Sequence, residues 1–145
     1  TEQTIGRVSL LPGLLETLAI NKQHDLPQTI FEVGDCTFLD EAAETGACER
    51  RTAAAATIGT HVGYADIRAV VDAFVHEMLG VASDKLRYAA VEHPGFIAGR
   101  VASVAVGDGA SIGLLGEIHP EVLENYGLRH PVAVFEVDLA ALLAC

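Results

Sequence analysis

Between Lys85 and Val137 the chain breaks into short apolar runs, each bounded by Gly, Pro or Asp, and this punctuation fits a sheet better than a bundle of helices. Lys85 to Val91 reads as one strand and Arg100 to Val106 as another. Gly107-Asp108-Gly109 is a hairpin turn, and Ser111 to Ile118 is the partner strand it returns. His119 is placed to cap a short helix with Pro120 in its first turn and Gly127 as its stop, after which Val132 to Val137 reads as a final buried strand. Asp138 can cap a terminal helix. Strands joined by hairpins, with helices interspersed but not in strict alternation, predict the α+β class: an antiparallel β-sheet flanked by helices.

The first half supplies the helices. Ser9 is expected to cap a helix carrying Leu10, Leu11, Leu14, Leu15 and Leu18 at helical spacing, with Pro12 tolerated in its first turn. From Tyr64 to Leu79 a second stripe (Ile67, Val70, Val71, Phe74, Val75, Met78) faces away from Asp66, Arg68, Asp72, His76 and Glu77, and Gly80 ends it. Thr29 to Val33 reads as a strand with Gly34-Asp35 as a bulge or bend, and Asp40 to Glu49 as an acidic loop. Arg51 to Gly59 is alanine-rich, so propensity alone would make it helical.

At 145 residues the chain fits a single domain spanning 1–145. No apolar run approaches the roughly 20 residues needed to cross a bilayer, so the expectation is a soluble, cytoplasmic protein with no membrane partner. The start at Thr1 and the apolar end near Leu139 to Ala144 suggest a piece of a longer chain. Twenty acidic residues oppose nine basic ones, only two of them lysine, for a formal charge of −11. Such a field repels a polyanion, which argues against an autonomous RNA-binding module. It also suits a protein kept hydrated in a salty cytosol, hence the expectation of a halophilic source. Cys36, Cys48 and Cys145 are odd in number and lack C-x-x-C spacing, so reduced structural thiols are expected.

Five stretches occur in a telling order: Ser9-Leu10-Leu11-Pro12-Gly13-Leu14-Leu15, Thr29 to Gly34, His93-Pro94-Gly95, Ile112 to Pro120, and Pro131 to Leu139. Together they resemble the phenylalanine–tRNA ligase β chain, in the catalytic-like module near that chain's end. The resemblance implies a non-catalytic variant of the class II ligase core and a strand for the alanine-rich segment. It also implies a catalytic α chain as partner in an α2β2 assembly that joins phenylalanine to its tRNA with ATP and magnesium, tRNA being met through that assembly. Class II ligases carry one arginine after the strand of their second signature motif and another in a Gly-rich third motif. Here the matching strand, Phe31 to Phe38, runs on through Gly34-Asp35-Cys36-Thr37-Phe38 without arginine, and Asp35 is expected to place a negative charge where a triphosphate would sit.

No catalytic, cofactor-binding or metal-ligating residue is therefore expected in this chain. The rival reading is a free-standing enzyme or small-molecule-binding module using Glu32, Glu117 and Glu136 with the histidines as acid/base groups or ligands. The simpler account leaves each glutamate facing solvent or paired with an arginine. Ser9 has no Gly-x-Ser-x-Gly elbow, and Gly59 to Gly63 has no Lys-Ser/Thr ending, so neither a nucleophile nor a phosphate loop is indicated. Leu10, Leu14, Leu18, Ile67 and Phe74 are candidates for subunit contact, unless both stripes pack on the domain's own sheet.

Overall fold

A computed structural model describes residues 8–39 and 46–143. In chain order the elements are α1 (Leu11–Ile20), β1 (Gln28–Leu39), β2 (Ala47–Ile58), α2 (Tyr64–Leu79), a 3-10 turn (Ser83–Lys85), β3 (Leu86–Ala90), β4 (Phe96–Val106), β5 (Ser111–Ile118), α3 (Pro120–Asn125), β6 (Val132–Asp138) and α4 (Leu139–Leu143). The six strands form one sheet in the order β1-β2-β6-β5-β4-β3, and every neighbouring pair is antiparallel.

Helices cover both faces. On the first face, Leu10, Leu14, Leu15 and Leu18 of the α1 segment pack on Ala54, Ala56, Ile58, Val101, Ile118, Val132 and Val134, with Val122, Leu123 and Tyr126 of the α3 region beside them. On the second, Ile67, Val71 and Val75 of α2 and Leu142 of α4 pack on Ala53, Ala55, Val104, Leu115, Phe135 and Val137. Alternation along each strand sends successive side chains to opposite cores. This explains the alanine-rich strand, whose residues Ala53 to Ala56 are each no more than 3% exposed. From Thr52 to Ile58 a β2 residue is buried whichever way it points, and small side chains let helices approach from both sides. Packing thus overrides the helical preference of alanine.

Phe135 lies at the centre of the second core, fully buried, its ring 5.5 Å from Phe74 and 6.4 Å from Phe31. Along the sheet's other edge, the Tyr88 hydroxyl of β3 donates to Asp72 Oδ1 of α2 at 2.6 Å, while the Arg68 guanidinium lies 4.3 Å from the Tyr88 ring centre. Burial first, then the bond to Asp72, pushes the phenol above its ordinary range. On β5, a Cβ at Gly116 would lie 2.6 Å from the Arg100 carbonyl oxygen and 2.8 Å from Val101 Cα, and one at Gly113 would strike the Glu136 carbonyl oxygen. The strand is held where only glycine fits, which keeps β4, β5 and β6 in register.

Several sequence expectations need correction. Gly34-Asp35 is no bend, because β1 pairs with β2 in unbroken register from Gln28↔Ile58 to Leu39↔Ala47. The acidic loop is shorter than expected: residues 40–45 lie outside the described residues, and Ala47 to Glu49 already belong to β2. β4 begins at Phe96 rather than Arg100, since a register shift between Phe96 and Val101, with Gly99 at φ 81°, interrupts the alternation. Lys85 falls in the 3-10 turn before β3. The helix over Tyr64–Leu79, its Gly80 stop in the left-handed region and the strand Ser111–Ile118 lie where the sequence places them. Cys145 lies outside the described residues. Among those described, no helix is long and apolar enough to cross a membrane.

Candidate functional site on the open face of the sheet

The core under α1 ends near the helix's N-terminus, and beyond it none of the described helices covers the first face of the sheet. A cleft of about 740 Å³ there is floored by β2, β5 and β6 and walled by the segment after β3. Alternation decides what points into it: Phe38, Cys48 and Arg50 share the parity of Ala54 and Ala56 and line the cleft, as do Glu136 and Asp138 of β6. Glu92, His93 and Ser103 contribute from the opposite side.

Arg50, Asp138 and Glu136 engage one another or the start of a helix. Arg50 Nη1 donates to Asp138 Oδ2 at 3.0 Å, and that bond, with the attraction of the same carboxylate, raises the guanidinium's pKa further. Asp138 is shared, since its Oδ1 also accepts from Ala141 N at 3.1 Å as the cap of α4. Glu136 Oε2 accepts from the Leu10 backbone N–H at 2.7 Å and from the Ser9 hydroxyl at 2.9 Å. The helix is therefore entered through Leu10 as its N-cap residue, not Ser9 as expected, although Ser9 Oγ still accepts from Leu11 N at 3.1 Å. A carboxylate from β6 meets the positive end of α1, where a negative charge is favoured.

A second carboxylate repeats the device on the other face. Glu117 Oε2 accepts from Tyr64 N at the start of α2 at 3.0 Å, and its Oε1 accepts from Arg100 Nη1 at 3.1 Å. Each main helix is thus anchored at its N-terminus by a glutamate from a central strand. The expected pairing of a strand glutamate with arginine holds for Glu117; the anchoring of helix starts did not show in the sequence.

These placements bear on the chemical readings. Glu117 lies on the face opposite Glu32 and Glu136, so the three glutamates do not converge on one site. His93 Nδ1 accepts from Gly95 N and His119 Nδ1 from Glu121 N, both at 3.1 Å, so each imidazole caps its own turn, as expected for His119. Among the described residues no group of three or more His, Cys, Asp or Glu is arranged to hold a metal ion.

Asp35 also needs correction. It faces the second side of the sheet, 3.5 Å from Arg51 on β2, and does not enter the cleft. The cleft's negative charge comes instead from Glu92, Glu136 and Asp138. Among the described residues one arginine lines the cleft, Arg50, on the neighbouring strand rather than after Phe31 to Phe38, where no local pattern in the sequence points to it. A triphosphate would meet, among the described residues, three carboxylates and one guanidinium already bound to Asp138, a donor set that does not fit it.

The contact candidates lie in the domain's own packing. Leu10, Leu14, Leu18 and Ile67 are at most 3% exposed, and Phe74 is half-buried against Phe135.

Comparison with known proteins bears on the same architecture. Residues 1–139 match the family model described as the phenylalanyl tRNA synthetase beta chain CLM domain. The chain is 41% identical over 140 residues to the phenylalanine–tRNA ligase beta subunit of Methanocaldococcus jannaschii, covering 95% of this chain and 24% of that one. It is 43% identical over 143 residues to the corresponding subunit of Methanopyrus kandleri, covering 97% and 23%. The chain thus spans about a quarter of the length of these curated relatives. Among solved structures it superposes on a pyrrolysyl tRNA synthetase from Desulfitobacterium hafniense with a TM-score of 0.73 at 18% identity, covering 94% of this chain and 47% of that one. That likeness speaks for the fold, a class II synthetase core.

Proposed function

The chain belongs to the phenylalanyl-tRNA synthetase beta-chain family through its CLM domain, and from that premise we propose that it is a ligase-shaped scaffold without ligase chemistry. It positions a catalytic α chain in an α2β2 enzyme that attaches phenylalanine to its tRNA. In that assembly ATP, magnesium and the tRNA belong to the α chain's site, and the enzyme works in the cytoplasm.

One observation carries this reading: among the described residues the one arginine lining the cleft, Arg50, is held by Asp138 among carboxylates. Adenylate formation needs cationic groups aimed at the phosphates, and this site offers the opposite field. Leu10, Leu14, Leu18, Ile67 and Phe74 serve as core groups, leaving the subunit contact to other surfaces. Co-expression of the full-length β chain with its α chain tests the proposal. The two are expected to elute together in equal amounts at the mass of a heterotetramer, and separate elution of two folded chains would refute it.

The charge of −11 with two lysines further supports a halophilic source. Screening by molar salt relieves the self-repulsion that opposes folding at low ionic strength. The thermal unfolding midpoint is expected to climb steeply from low to molar KCl, and a midpoint indifferent to KCl would remove this part of the reading.

A further inference from the structure

Where the end of α1, the start of β1, the end of β2 and the α3–β6 connection meet, a second cavity of about 320 Å³ opens to the surface. At roughly 30 Å³ per water it has room for about ten waters, the lower end of the range for small-ligand pockets. It is removed from the cleft and shares no lining residue with it. Its floor is apolar, built from Leu18, Ile58 and Leu128, each buried to within 5%. Its rim carries Lys22, Arg129 and His130, all exposed, and no Asp or Glu lines it.

That rim is unusual for this chain. Arg50, Arg51 and Arg100 are each paired with a carboxylate, Arg68 lies over Tyr88, and Arg87 donates to the Gly107 and Gly109 carbonyls. Arg129 and His130 have no ion pair among the described residues, although Glu117 and Glu124 line the adjoining hollow with them. Lys22 Nζ donates to the Gly127 carbonyl oxygen at 3.1 Å, which fixes the ammonium at the rim and leaves it further donors. In a protein with more than two acidic residues for each basic one, unneutralised cations are gathered over an apolar hollow.

We propose that this cavity binds a small anion with an apolar body, its head held by Arg129 and Lys22 and its tail laid against Leu18, Ile58 and Leu128. The guanidinium fork suits a carboxylate or a phosphate head alike, since both offer two oxygens in its plane. The apolar floor requires a tail, because a bare anion would leave the hollow to water. This site is independent of the scaffold reading, for it involves neither the cleft nor the α chain.

Methyl chemical shifts of Leu18, Leu26, Ile58 and Leu128 in the intact chain provide the test, with hexanoate and hexyl phosphate as probes and hexanol and acetate as controls. Saturable shifts confined to these methyls are expected with one or both anionic probes, and the preferred probe identifies the head group. Hexanol should need at least about tenfold higher concentration, the loss expected when a charge-assisted hydrogen bond is removed. Acetate should leave the methyls unmoved. Arg129→Ala should raise the midpoint about tenfold by the same reasoning, with Arg129→Lys recovering part of it. Leu26→Trp, which fills the half-buried mouth, should abolish the shifts in a chain that remains folded. Equal midpoints for hexanoate and hexanol, indifference to Arg129→Ala, or no saturable shift up to the probes' solubility would overturn the proposal.

Discussion

Leu14→Asp is expected to unfold the domain. Leu14 is 3% exposed in the core between α1 and the sheet, beside Ala54, Ala56 and Val134. A carboxylate there would lose its water with no cation near enough to replace it, at a cost of several kcal/mol as ion or as neutralised acid. The apolar packing of the leucine is lost as well, about 2–5 kcal/mol by analogy with truncation to alanine. Together these rival the whole stability of a typical domain, roughly 5–15 kcal/mol. Circular dichroism should show loss of the folded signal, whereas Glu16→Lys on the exposed side of the same helix should leave it intact. A folded Leu14→Asp chain that had lost only its hold on the α chain would make Leu14 a contact residue after all.

Phe135→Ala is the second large effect, expected to cost about 3–5 kcal/mol as a buried aromatic truncation. Phe135 is on β6, between β2 and β5, and its ring is the one to which both Phe31 and Phe74 pack. Neither neighbour is free to fill the space, because Phe31 is fixed to the edge strand and Phe74 to α2. At roughly 2–4 °C per kcal/mol for a chain of this size, the melting midpoint should fall by roughly 6–20 °C. A shift within about 2 °C, equivalent to less than about 1 kcal/mol, would mean that the aromatic cluster is not central to the fold.

The contrast between these residues and the cleft shows what the sequence could disclose. Features determined within a few residues were legible: the stripe of α2 with its Gly80 stop, the Gly107-Asp108-Gly109 hairpin, and the His119 and Asp138 caps. Each depends on spacing along a single element. Ala53 to Ala56 could not be decided by propensity, since their strand state comes from cores on both faces, and only the resemblance to known relatives pointed the right way.

The site was less legible because pairing across the sheet builds it. Arg50 enters the cleft, and Arg51 does not, only because β2 pairs with β6 and β1 in one register. Glu136 and the Leu10 N–H that it anchors lie 126 positions apart, a separation that no local pattern reports. Asp35 follows the same rule: its charge is evident in the sequence, but its face depends on a register that the expected bend would alter.

Central to the proposed scaffold role is that the cleft around Arg50 does not take up a nucleotide. Isothermal calorimetry of the intact chain with ATP and magnesium tests it most directly. The account predicts no saturable heat, whereas micromolar binding that is lost in Arg50→Ala would show the cleft gripping phosphate and would contradict it.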